Sequence, residues 1–207
     1  MSALRFSSLI ILFPILFAAC GRSELIRIRM LAPVTEDKKD YAIFTDTEST
    51  ITPVIINKQN GGSLYFLFKS IGLGYTTITT KMEKADKNLT EKTTLVTNFA
   101  DVAFGIGENY SFMWGAGVLS GGKMETSLNS FNPKNNYLGG HSIFFVLGHH
   151  GFGFETLLGY RTNFIKAEFE EIGLPSTVGK TDEDFTYESN KINLTTSQVQ
   201  LGIGFTF

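Results

Sequence analysis

The last nine residues of the chain, Val199-Gln200-Leu201-Gly202-Ile203-Gly204-Phe205-Thr206-Phe207, alternate between large apolar side chains and small or polar ones. Successive side chains of a β-strand point to opposite faces of the sheet, so this stretch predicts a strand with one apolar and one polar face. The apolar face contains Val199, Leu201, Ile203, Phe205 and Phe207, and the other face contains Gln198, Gln200, Gly202, Gly204 and Thr206.

The opposite end of the chain has the pattern of a secretory signal. Arg5 precedes an uninterrupted apolar run, Leu9 to Ala19, and small residues follow it. This order of charge, apolar run and small residues predicts a signal peptide over residues 1–20. The run is too short for a membrane-spanning helix, which needs ~20 apolar residues.

Cys20, the only cysteine, follows that run in Leu16-Phe17-Ala18-Ala19-Cys20-Gly21. The stretch resembles a bacterial lipobox, in which the cysteine is acylated, although Phe17 stands where that motif usually has leucine. The alternative is ordinary cleavage after Gly21, which would remove Cys20 with the signal. Either way no second cysteine exists to form a disulfide.

Composition narrows the class of protein. The chain is 43% hydrophobic and 18% charged, with 21 glycines and 5 prolines, and no run beyond the signal approaches a spanning helix. A membrane-embedded chain without such helices must close its backbone hydrogen bonds in a barrel. The net charge of -2 argues against a nucleic-acid partner. No cofactor motif is found, since Gly72-Leu73-Gly74 and Gly202-Ile203-Gly204 lie within strand patterns.

Six strands follow from alternation, counted with the C-terminal one. We expect strands over Ser63–Lys81, with a bulge joining its halves, and over Leu95–Gly107, Phe112–Ser120, Gly139–Gly148 and Phe152–Phe169. Eight strands are the usual minimum for an outer-membrane barrel. The other two are expected within residues 21–60, at Leu25–Leu31 and Tyr41–Ile56, although a periplasmic arm or a lumen plug is the alternative there.

The connectors are expected to alternate in length. Glu108–Tyr110, His149–Gly151 and Asn57–Gly62 are short, whereas Glu83–Lys92, Ser127–Tyr137 and Glu170–Lys191 are long and polar. Short periplasmic turns and long extracellular loops are typical of transmembrane barrels. The sequence therefore predicts a single antiparallel, up-and-down transmembrane barrel of eight strands over residues 21–207.

A polar network is expected inside the barrel. The inward positions include Asp101, Glu155, Arg161, Gln198 and Gln200. Glu155 and Arg161 lie six residues apart on one strand, about 20 Å at ~3.3 Å per residue, so each needs a partner on another strand. Arg161 with Asp101 and Arg27 with Glu155 are suitable pairs. A lumen filled by ion pairs is preferred to a gated ion path, because narrow barrels are filled by side chains.

Catalytic and metal sites have little support. Adjacent His141 and Ser142 face opposite sides of a strand and cannot form a hydrolytic dyad. The pair His149-His150 lacks a cysteine or carboxylate at ligand spacing, so no metal site is predicted.

The terminal aromatic strand, the Gly/aromatic alternation and the sorting of loops resemble the small outer-membrane barrels of the OmpA and OmpX kind. The resemblance implies a bacterial outer-membrane location, contact with its lipids, and recognition of Phe207 by the barrel-assembly machinery. It leaves three functional classes open: a structural or surface-interaction barrel that binds an extracellular ligand through loop 170–191, a porin-like channel or carrier for small molecules, and a lipid-modifying enzyme.

Overall fold

The computed structural model describes residues 26–34, 55–85, 90–128, 134–151, 153–169 and 191–207. Within these ranges the chain forms eight β-strands. They are β1 (Ile26–Pro33), β2 (Ile55–Phe68), β3 (Ile71–Ala85), β4 (Thr90–Ile106), β5 (Tyr110–Leu128), β6 (Asn135–Gly151), β7 (Phe154–Phe169) and β8 (Lys191–Thr206). No helix in the described ranges is long and apolar enough to cross a membrane.

The eight strands close into one antiparallel barrel in chain order. Each strand pairs with the next, and β1 pairs with β8. The closing contact is reciprocal, since the Ile26 amide donates to the Phe207 carbonyl at 3.1 Å and the Phe207 amide donates to the Ile26 carbonyl at 2.9 Å. The predicted fold class is confirmed.

Residues 63–81 differ from the prediction. They were expected to form one bulged strand, but they belong to β2 and β3, which are joined by the two-residue turn Lys69-Ser70. Lys69 adopts the left-handed backbone conformation, with φ of 55°. Such turns usually carry glycine or asparagine, and their absence here left the hairpin without a sequence signal.

Three of the predicted connectors are also wrong. Glu83–Lys92 was expected to be a long loop, but Glu83–Ala85 pairs with Thr90–Lys92 and extends the hairpin of β3 and β4. Asn57–Gly62 lies inside β2: Asn57 is a bulge and Lys58–Gly62 pairs with β3, while the turn of this hairpin lies twelve residues from Asn57, at Lys69. His149–Gly151 completes β6, and β7 begins at Phe154. The predicted strand Tyr41–Ile56 falls outside the described residues except for Ile55 and Ile56, which begin β2.

We name the two ends of the barrel by their connectors. At the turn end β2, β4 and β6 end and β3, β5 and β7 begin, and Ile26 and Phe207 also lie there; at the loop end β1, β3, β5 and β7 end and β2, β4, β6 and β8 begin. Residues 1–25, which contain the predicted signal peptide and Cys20, lie outside the described ranges, and so do residues 170–190 of the predicted loop 170–191.

A band of apolar side chains surrounds the half of the barrel nearer the turn end. On β8 it extends over the nine residues from Phe207 to Val199, and exposed apolar residues continue it on the other strands, among them Phe66, Leu73, Val102, Phe145 and Leu158. At ~3.3 Å per residue and a tilt of 35–45°, the eight steps between these nine residues cover about 19–22 Å along the axis, comparable with the ≈ 25 Å band of outer-membrane barrels.

The pattern of facing inverts in the half nearer the loop end. There the interior holds an apolar cluster of Met82, Leu95, Phe99, Met124, Ile165, Ala167, Phe169 and Leu194. The outer face of this half carries Lys81, Lys92, Lys123 and Lys166. Several strands are longer than predicted because the prediction followed one apolar face. That face becomes polar in the half nearer the loop end, although the strand continues.

Candidate functional site

The interior of the barrel is built around two groups of buried charges. The mid-barrel cluster centres on Asp101 of β4 and Arg161 of β7, and the turn-end cluster consists of Arg27 and Arg29 of β1, Ser111 of β5 and Glu155 of β7. The charged side chains of both clusters are buried, at 0–2% exposure. Charges buried this deeply must be paired and hydrogen-bonded. The partners of each charge therefore determine whether the lumen is closed or open.

In the mid-barrel cluster Arg161 and Asp101 form a bidentate ion pair. Arg161 Nη1 donates to Asp101 Oδ2 and Arg161 Nη2 to Oδ1, both at 2.9 Å. Thr76 supports the carboxylate by donating to Oδ2 at 2.6 Å. The paired geometry is the strongest that arginine offers a carboxylate, and it joins strands that are not neighbours in the barrel.

The remaining donors of Arg161 are also used. Nε donates to Asn163 Oδ1 at 2.9 Å, Nη1 to Tyr65 Oη at 3.2 Å, and Nη2 to Ser142 Oγ. The guanidinium carbon also lies 4.7 Å from the centre of the Phe99 ring and 5.2 Å from that of Phe144. Nη1 also donates to Thr76 Oγ1 at 3.0 Å. Arg161 is therefore held by hydrogen bonds to side chains of five strands and by cation–π contacts, which are strong when desolvated.

Gly117 of β5 makes room for this cluster. A Cβ atom at that position would lie 1.9 Å from Asp101 Oδ1 and 2.7 Å from Ser142 Oγ. Gly74 plays the same part for Tyr65, whose ring would lie 2.2 Å from an added Cβ. Inward-facing glycine is therefore required where a large polar side chain from another strand crosses a narrow lumen.

In the turn-end cluster Glu155 forms ion pairs with two arginines. Arg29 Nε donates to Oε2 at 2.8 Å and Arg29 Nη2 to Oε1 at 2.9 Å, while Arg27 Nη1 lies 3.4 Å from Oε1. Ser111 donates to Oε1 at 3.2 Å. Arg27 also donates from Nη2 to the Gly107 carbonyl at 3.0 Å, which ties the cluster to the turn between β4 and β5.

The two predicted glutamines face the lumen without forming a common site. Gln200 Nε2 donates to Ser63 Oγ at 3.3 Å, and through Ser63 it reaches Thr76 of the mid-barrel cluster. Gln198 is 1% exposed, and neither its Nε2 nor its Oε1 has a hydrogen-bond partner among the described residues.

The structure therefore contains both ion pairs that alternation suggested, Arg161 with Asp101 and Arg27 with Glu155. Sequence reasoning missed Arg29, which contacts Glu155 more closely than Arg27 does, and it missed the hydroxyl partners Tyr65, Thr76, Ser111 and Ser142. The Arg27-x-Arg29 spacing on β1 was the available signal for Arg29, because residues two apart share a face. Nothing in the sequence marks the hydroxyls.

The remaining candidate residues do not assemble into a reactive site. His141 lies on the outer face, stacked at 5.0 Å on Phe164, while Ser142 points inward to Arg161. His149 packs on Tyr110 at 4.9 Å. Among the described residues no group of three His, Cys, Asp or Glu side chains is placed to hold a metal ion. Phe207 is 70% exposed at the turn end.

One seam of the barrel is incomplete near the loop end. The ladder between β5 and β6 runs from Tyr110–His149 to Val118–His141, and the described residues beyond it are not paired across this seam. A cleft of about 830 Å³ lies there, lined in part by Lys123, Met124, Asn135 and Leu138. Met124 belongs to the apolar interior cluster and Leu138 packs against it, so the cleft borders that cluster.

Comparison with known proteins gives little beyond this geometry. No family model matches the sequence. No curated protein matches it either. Among solved structures, the chain matches the outer membrane protein OprG from Pseudomonas aeruginosa with 11% sequence identity and a TM-score of 0.36, over 90% of this chain and 98% of that one.

Proposed function

We propose that this chain is an integral β-barrel of a bacterial outer membrane with a non-enzymatic, structural or surface-interaction role. The observation that carries the proposal is the facing of the turn-end half, where apolar side chains cover the outside and ion-paired side chains fill the inside. A water-soluble barrel has the reverse arrangement, since exposed apolar surface of this extent is unfavourable in water.

The filled lumen supports a structural role over a conducting one. Arg161 and Asp101 link β7 to β4 across the interior, and Tyr65, Phe99 and Phe144 pack around them at 0–3% exposure. An ion would have to displace a bidentate pair and its desolvated neighbours in order to pass. Contact with a partner outside the cell is assigned to the loop end, where loop 170–191 is the candidate for an extracellular ligand.

A carrier for small apolar molecules is the second candidate. The cleft between β5 and β6 supports it, because Met124 and Leu138 connect the cleft to the apolar interior cluster. In this role a solute would enter sideways near the loop end and would not pass through the charged clusters.

Planar-bilayer recording tests the choice between these functions. The purified barrel is expected to be electrically silent, because the paired charges close the lumen. A steady single-channel conductance would exclude the structural role in favour of a channel. Silence together with faster uptake of an apolar dye into barrel-containing vesicles, relative to empty vesicles, would favour the carrier.

A further inference from the structure

A short pattern recurs on three strands of the barrel. β3 carries Lys81-Met82-Glu83, β5 carries Lys123-Met124-Glu125 and β7 carries Lys166-Ala167-Glu168. In each case the middle residue is buried in the apolar interior cluster and both charged residues point outward. The repeat is hard to see in the sequence, because its three copies are far apart along the chain and only three residues long.

The register places the three lysines at one height. A row of cross-strand partners runs around the barrel from Ile26, passing from each strand to the next. The row returns to β1 at Val34, eight residues nearer the loop end, so it rises towards the loop end by about one residue per strand. The row is Ile26, Phe68, Ile71, Phe104, Trp114, Phe145, Tyr160, Val199 and Val34.

Two strands farther around the barrel, the paired residue therefore stands two residues too high. The residue at equal height is the one two positions nearer the turn end. The row through Lys81 reaches Thr94 and then Glu125, so the residue of β5 level with Lys81 is Lys123. From β5 to β7 the row runs from Val118 through His141 to Phe164, so Thr162 is level with Val118. Lys123 stands five residues above Val118, of which one is the bulge residue Ser120. Four residues above Thr162 is Lys166, which therefore lies at the level of Lys123.

A fourth lysine, Lys58 of β2, lies next to Lys81, where the two positive charges repel each other. It is the direct cross-strand partner of Lys81, and both side chains are exposed on the outer face. Like charges directly opposite each other on a sheet are destabilising. Among the described residues neither lysine, nor Lys166, forms an ion pair with a carboxylate, whereas Lys92 pairs with Glu83 and Lys123 with Glu125.

The height of these lysines matches the surface of a membrane. On β5 the apolar outer face ends at Val118, and Lys123 stands about 10 Å higher along the axis, at ~3.3 Å per residue and a tilt of 35–45°. A lysine side chain can bend towards the band and keep its ammonium in the headgroup layer, which is about 5–8 Å deep. The glutamates Glu83, Glu125 and Glu168 stand two residues farther from the band.

We propose that Lys58, Lys81, Lys123 and Lys166 form a phosphate-binding belt for anionic lipid headgroups in the leaflet next to the loop end. An anion between Lys58 and Lys81 removes their repulsion, and the lysine-below-glutamate order places positive charge nearest the lipid in all three repeats. The turn-end connectors contain only Lys69 and Glu108 as charged residues, so no such belt exists there within the described chain. The belt rests on the proposed membrane location.

Spin-label electron paramagnetic resonance tests the belt. The purified protein is reconstituted in phosphatidylcholine vesicles containing trace spin-labelled phosphatidic acid or spin-labelled phosphatidylcholine, and the fraction of each lipid immobilised by the barrel is compared. We expect phosphatidic acid to be selected. The double variant Lys58→Gln, Lys81→Gln should lose about fivefold or more of this selectivity, the factor expected for a single lysine near an anionic surface.

The control double variant Lys69→Gln, Lys92→Gln removes the same charge away from the belt and should keep the native selectivity. Equal selectivity in the two double variants would overturn the belt, and so would its loss in millimolar inorganic phosphate, which would indicate a site for free phosphate. If neither labelled lipid is immobilised, the membrane location itself is wrong. Immobilisation without any selectivity would leave that location intact and exclude the belt alone.

Discussion

Arg161→Met is expected to destabilise the barrel by about 3–5 kcal/mol, because it leaves Asp101 buried without a counter-charge. Asp101 would keep the hydrogen bond from Thr76 but lose both of its bonds to the guanidinium. The free energy of unfolding is measured by urea titration of the protein in vesicles.

The double variant Asp101→Asn, Arg161→Met separates the buried charge from lost packing. Once neither charge remains, the penalty of an unpaired ion disappears, so the double variant should lose less than the sum of the two single variants. Additive losses would mean that the ion pair is not coupled. A loss below 1 kcal/mol for Arg161→Met would show that water reaches Asp101 and that the lumen is not closed.

Glu155→Gln is expected to cost a similar amount, about 3–5 kcal/mol, for the opposite reason. Arg27 and Arg29 would face each other at the turn end with no carboxylate between them, although the amide oxygen still accepts one hydrogen bond. The effect should appear as a lower urea midpoint in the same vesicle assay.

Glu125→Gln is the matched control for that change. Glu125 pairs with Lys123 at 2.8 Å, but both side chains are about two-thirds exposed, and exposed pairs contribute only about 0.2–1 kcal/mol. Equal losses at Glu155 and Glu125 would contradict the assignment of Glu155 to a dry interior.

Alternation was sufficient to predict the barrel and the facing of its turn-end half. On β7 it placed Glu155 and Arg161 inside and Leu158 outside, which is where they lie. It succeeded because a membrane imposes one rule on every strand at that depth: the outer side chains must be apolar. Because a buried charge needs an opposite charge within reach, Asp101 was then expected to pair with Arg161.

Alternation failed where that rule ends. Beyond the apolar band the inner face becomes the apolar one. On β4 the apolar residue Val102 therefore points outward within the band, whereas the apolar residue Leu95, seven residues away, points into the interior. A single two-residue period cannot represent this exchange. The hairpin at Lys69-Ser70 was missed for a different reason, since tertiary pairing of β2 with β3 fixes a turn that its own residues do not favour.

The central claim is that the outer face of the turn-end half contacts lipid, and paired spin labels on β7 test it most directly. Single cysteines at Leu158 and Lys166, in a Cys20→Ala background, carry a nitroxide on the same face of one strand, eight residues apart. In reconstituted vesicles the label at Leu158 should collide with oxygen in preference to a water-soluble nickel chelate, and the label at Lys166 should show the reverse. A label at Leu158 that the chelate reaches as readily as it reaches Lys166 would contradict the account.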